Sequence, residues 1–146
     1  MPGDAMPDWM DSWKHPQEWV GIKLWPREDL PLLTVEIDHL RWIELFRSSI
    51  VAPAHEAADL PPLDPNACRL GAWLNSTGRN HYGGYPGFSE LVQAHDAVHI
   101  TGGVIARLAR DSRPAARERL GELITKHDEL MQALTRLRTE VLAKHE

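Results

Sequence analysis

Apolar side chains return every three or four positions along most of this chain, the spacing of one helix face, and no stretch alternates as a half-buried strand would. Between Leu33 and Val51 the stripe runs through Val35, His39, Trp42, Phe46 and Ile50, with Thr34 placed to cap it and Pro53 to end it. Asp64 followed by Pro65 predicts the start of a second, short helix that runs to Gly78. The glycine-rich RNHYGGYPG after it predicts a turn-rich connection. A third helix is predicted from near Phe88, with Leu91, Val92, His95, Val98, His99, Gly102 and Ile105 on one broad face. Ser112, Arg113 and Pro114 interrupt that pattern. A last helix then carries Leu120, Leu123, Ile124, His127, Leu130, Met131, Leu134, Leu137 and Val141 from Ala115 to the C-terminus. Four amphipathic helices with short connections predict an all-α fold, an antiparallel four-helix bundle over residues 34–146.

Residues 1–33 break the periodicity. Five prolines (Pro2, Pro7, Pro16, Pro26 and Pro31) are too many for one continuous helix, which predicts an irregular N-terminal arm. Trp9, Trp13 and Trp19 lie within it. An arm that patches its own domain and an arm that covers a groove on a partner account for them equally well.

The single cysteine, Cys68, excludes an intramolecular disulfide. Sixteen basic against 21 acidic side chains give a formal charge of -5, which argues against a nucleic-acid partner. The locally basic RLARDSRPAARERL is interrupted by Asp111 and Glu118 and reads as a solvated helix surface. No apolar run approaches the roughly 18 residues that span a bilayer. The N-terminus lacks the basic start and apolar core of a signal peptide. The chain is therefore expected in the cytoplasm, with no membrane partner.

Candidate chemistry sits on the inward faces. His95 and His99, in HDAVH, are four apart and in phase with Leu91 and Gly102, so both rings point into the predicted bundle. Burying imidazoles is costly unless their nitrogens are satisfied, and zinc satisfies them in the neutral form. His39 lies on the stripe of the first helix, and Cys68 falls in the first turns of the second, where a helix N-terminus favours a thiolate. Together these four make a His3Cys set, complete for tetrahedral zinc, with no position left for a reacting ligand. Gly71 and Gly102, one turn beyond Cys68 and His99, would let helices approach closely.

Blander readings exist for each residue. Cys68 is also a small hydrophobe, and His39 a possible core histidine. His127, on an apolar face of the last helix, either replaces one of the four or fills the core. His15, His55, His81 and His145 fall in arm, loops or tail and read as surface residues. HDAVH is not the HExxH of a metalloprotease, since Asp96 stands where the glutamate base would be. The ExxH pairs of a carboxylate-bridged diiron bundle are missing, and Asp96, Asp128 and Glu129 define no cleft. A binding protein, not an enzyme, is expected.

HLRW at 39–42, CRLGAWL at 68–74 and HDAVH at 95–99, in that order and separation, resemble the chemoreceptor zinc-binding domain family, over residues 33–145 or so. CRLGAWL is the most specific part, because Cys68, Leu70, Gly71 and Trp73 agree at fixed offsets. The resemblance implies zinc held by His39, Cys68, His95 and His99, with Trp42 and Trp73 packed beside them. It implies a four-helix bundle that forms a homodimer. It also implies a sensory role, towards zinc or towards oxidants at the zinc-bound cysteine, in chemoreceptors or in enzymes that make cyclic di-GMP. Neither a methyl-accepting hairpin nor a cyclase domain is visible in the sequence. A stand-alone protein that signals through a separate chemoreceptor or cyclic di-GMP protein is thus expected. Leu123, Leu130 and Leu137 repeat every seven residues beside Leu120, His127, Leu134 and Val141, a width that also predicts a dimer.

Overall fold

The computed structural model describes residues 30–57 and 59–144. Most of the predicted arm lies outside them. The described residues form five helices and no strand: α1 Leu30–Val51, α2 Arg69–Leu74, α3 Thr77–Tyr82, α4 Pro86–Asp111 and α5 Arg113–Lys144. Three are long. The short α2 and α3, broken at Asn75 and Ser76, take the place of the predicted second helix. By its internal contacts the chain divides after Leu33, and the bundle is the unit from Thr34 onward.

Several boundaries differ from the periodicity for local reasons. The first helix begins at Leu30, so Thr34 is an interior residue and not its cap. Pro31 falls in the first turn, where a missing N–H costs nothing. Asp64 and Pro65 form a turn, not a helix start: the Asp64 carboxylate accepts the backbone N–H of Asn66 at 2.9 Å. That leaves Cys68 itself as the N-cap of α2. The start of RNHYGGYPG is helical, as part of α3.

Ser112 makes the tightest connection. Its extended backbone ends α4 with an N–H bond to the carbonyl of Leu108 at 2.8 Å. Its hydroxyl then accepts the N–H of Ala115 at 3.2 Å and opens α5, with Pro114 in the first turn. One residue thus serves two helix ends, and α4 and α5 return on each other as an antiparallel hairpin. Arg113 and Arg117 reach from the start of α5 to the carbonyls at the end of α1, Arg113 to Ser49 and Ala52 and Arg117 to Ile50. Those carbonyls have no intrahelical donor, so the guanidinium groups satisfy them. At the other end of α5, Arg138 pairs with Glu36 of α1. These two ties set α5 antiparallel to α1.

The core is the predicted stripes. Val35, Trp42, Phe46 and Ile50 of α1 are buried together with Phe88, Leu91, Val98 and Ile105 of α4. Each contributes about 1.5–3 kcal/mol by leaving water. On α5, both heptad rows are used up inside the chain: Leu120, Leu123, Leu130, Leu134, Leu137 and Val141 are all buried. The last helix therefore offers no leucine face to a second copy. Ile124, expected inside, is 41% exposed. Other large apolar side chains that remain in solvent are Ile37, Leu40, Leu45 and Val51 on α1 and Ile100 and Val104 on α4. No helix of the described residues is long and apolar enough to cross a membrane.

Candidate metal centre

His39 on α1, Cys68 at the N-terminus of α2, and His95 and His99 on α4 meet in the middle of the bundle. Each offers one ligand atom, and these atoms all lie within 4.8 Å of one another. All four residues are buried, the histidines to 2% exposure or less. The two α4 histidines arrive together because four residues are slightly more than one turn. His39 reaches them because α1 crosses α4 closely at Gly102, where a Cβ would press on the Trp42 ring at 3.2 Å. Gly71 does the same for α2. A Cβ there would run into the Pro65 carbonyl and stand 3.1 Å from Cε1 of His95.

Hydrogen bonds orient the rings. Nδ1–H of His99 donates to the Leu63 carbonyl at 2.9 Å, which leaves its Nε2 bare and facing inward. Nε2 of His39 lies 3.4 Å from that atom, long for a hydrogen bond. Two metal–nitrogen arms of about 2.0–2.1 Å at a tetrahedral angle end about 3.4 Å apart, so the pair suits a shared ion better. Nε2 of His95 is buried without any hydrogen-bond partner. An orphaned buried acceptor of this kind costs about 1–3 kcal/mol, and a bound metal would supply its partner. The donor set fits zinc: neutral imidazoles and one thiol, with no oxygen ligand.

Burial keeps the imidazoles neutral. Desolvation, followed by the neighbouring histidines, lowers His39 to a pKa of about 2 and His95 to about 3. His99 and His127 are lowered as well, again chiefly by burial. Burial pushes the Cys68 thiol up, although the nearby N–H groups of Gly71 and Leu70 pull it partly back. Without a metal its thiol is protonated at neutral pH. A cavity of about 260 Å³, bordered by Asp38, Arg41, Trp42, Pro62 and Arg69, reaches Cys68 from the surface.

Trp42 behaves as the resemblance implies. Its ring stacks on His39 with centroids 5.1 Å apart, tilts against His99 at 4.8 Å, and its indole N–H donates to the Pro62 carbonyl at 2.7 Å. Trp73 instead covers α3, against Tyr82 and Gly78. His127 is buried beside the four and not among them; its Nε2 lies 3.0 Å from Nδ1 of His39. Sequence reasoning had no access to the carbonyls of Pro62 and Leu63, since a backbone acceptor leaves no mark in residue type. His127 did leave one, its phase on the apolar face.

Three histidines and a cysteine at the centre of a helical bundle define a metal-binding domain. Residues 39–106, from His39 through Ala106, match the family model of the chemoreceptor zinc-binding domain. Over that segment, 68 of the 146 residues, the chain is similar to the family. The matched segment contains all four residues and ends within α4, short of α5. No curated protein and no solved structure matches the chain.

Proposed function

We propose that this protein is a zinc-binding sensory or regulatory domain in which His39, Cys68, His95 and His99 hold the ion. The observation that carries this reading is the meeting of those four buried side chains, with ligand atoms within 4.8 Å of one another. When bound, zinc would join α1, α2 and α4 and stabilise the bundle by linkage. Cys68 is the responsive member. Its thiolate is a good ligand, and oxidation to a sulfenic acid weakens it, while the cavity beside Arg69 gives small oxidants a way in. Loss of one ligand from a closed set frees the helix ends it joined, and a second copy or a separate signalling protein reads the change. Ile37, Leu40, Ile100 and Val104, exposed on α1 and α4, favour a homodimer through those helices. The setting is cytoplasmic, with a chemoreceptor or cyclic di-GMP protein as the partner.

A second reading has an observation of its own. Four protein ligands leave no open position, the mark of structural zinc, so the domain would then be a dimerisation or interaction module. Treatment of the zinc-loaded protein with about one equivalent of hypochlorous acid or peroxide, with released zinc read by a chromogenic chelator, separates the two. Release of zinc in step with Cys68 oxidation supports sensing. Retained zinc and an unmodified Cys68, together with a dissociation constant far below free cellular zinc, support the structural role.

A further inference from the structure

His127 is the one histidine of the buried cluster that stands outside the ligand set, and it joins α5 to His39 of that set. Its Nε2 lies 3.0 Å from Nδ1 of His39 and 3.1 Å from the carbonyl oxygen of the same residue. A carbonyl oxygen only accepts, so the short approach to it puts the proton on Nε2 of His127. That N–H then points at Nδ1 of His39 as well, which must accept. His39 consequently carries its own proton on Nε2, 3.4 Å from the bare Nε2 of His99 and too far to bond it well. His99 in turn donates from Nδ1 to Leu63.

A metal needs the opposite of His39: Nε2 bare and, for a neutral ring, the proton on Nδ1. With that proton facing the N–H of His127, two donors would collide at 3.0 Å. We propose that His127 is the positioning residue of the metal centre. It changes tautomer with metal occupancy, donating to the His39 carbonyl when His39 is unligated and accepting from Nδ1 of His39 when Nε2 holds the ion. The contact between His127 and the α1 carbonyl is made in one state and lost in the other, so α5, which supplies no ligand, is coupled to occupancy. No net proton is taken up by this exchange; the proton on each ring moves from one nitrogen to the other through solvent or through the pair.

This inference rests on the assignment of His39 as a zinc ligand. It is tested by long-range proton–nitrogen spectra of the full chain labelled at histidine, recorded without metal and with one equivalent of zinc. The expected result is His127 protonated at Nε2 without metal and at Nδ1 with zinc, and His39 moving from Nε2–H to Nδ1–H. Chelator competition on H127L and H127Q supplies a second readout. H127L should weaken zinc binding about 10- to 100-fold, as loss of an orienting partner does. H127Q, whose amide can donate or accept, should stay within about threefold of the native chain. Should H127L not fold, the spectra and H127Q decide. Zinc bound through His39 while His127 keeps one tautomer, or H127L binding as tightly as the native chain, overturns the inference and leaves the zinc assignment standing. A native chain that binds no zinc overturns both.

Discussion

Nδ1 of His99 donates its proton to the carbonyl oxygen of Leu63 across 2.9 Å, and this single bond decides which nitrogen the ring presents to the centre. The adjoining carbonyl, of Pro62, holds the indole of Trp42. A proline-rich loop with no regular structure thus acts as the outer support of the site. W42F keeps the ring and removes the N–H, leaving the Pro62 carbonyl without its donor. We expect a loss of about 1–3 kcal/mol in urea unfolding of the zinc-loaded protein, with zinc binding weakened about tenfold or more. Equal stability of the two proteins would show that the loop does not support the site.

Zinc uptake at pH 7 should release about one proton per chain. Burial raises the Cys68 thiol, so it is protonated beforehand, whereas His39, His95 and His99 are already neutral and have nothing to give up. Calorimetric titration in buffers of different ionisation enthalpy measures this number directly. C68A should reduce it to about zero along with most of the affinity. Release of two or more protons would mean that histidines are charged in the folded protein.

Acid should destabilise the metal-free protein well above the usual carboxylate range. His39 and His95 are held at about 2 and about 3 in the fold, against 6.5 for an ordinary histidine. Between those limits the unfolded chain binds more protons than the folded one, so stability rises with pH. Their contribution is fully present above 6.5 and is lost as pH falls towards 3. Each adds a slope of about 1.4 kcal/mol per pH unit within that window. Urea midpoints at pH 7, 6 and 5 should therefore fall steeply over the last step. A flat profile down to pH 4.5 or so would contradict the buried neutral cluster.

Glycine-to-alanine changes should split by location. In a helix interior, alanine is ordinarily favoured by about 0.5–1 kcal/mol. At Gly103 and Gly121 a Cβ would meet nothing within 4 Å, so G103A and G121A should gain about that amount. At Gly71 the same atom collides with the Pro65 carbonyl and presses on the His95 ring. G71A should lose about 1–3 kcal/mol and weaken zinc binding, because α2 must back away with Cys68 at its head. Thermal unfolding of the three variants checks the sign of each.

Much of this was legible in residue type because burial and phase are linked on a helix. His39, His95 and His99 lie in register with Val35, Leu91 and Gly102, so their inward direction followed from spacing alone. Cys68 was harder. The Asp64-Pro65 pair looks like a helix start, but the Asp64 side chain closes a local turn instead, and α2 begins four residues later than expected. The dimer argument from the last helix failed for another reason. A helix packed against both α4 and α1 buries a wider arc than one seam requires, and periodicity does not tell whether a leucine row meets its own chain or another. Loop carbonyls such as those of Pro62 and Leu63 carry no residue-type signal. Their role needed the fold.

The most direct measurement is the zinc content of the purified chain by inductively coupled plasma mass spectrometry, for the native sequence and for C68A, H95A and H127A. The account predicts about one zinc per chain in the native protein, a sharp fall in C68A and H95A, and a site still formed, though weakened, in H127A. Full zinc occupancy retained in both C68A and H95A would contradict it.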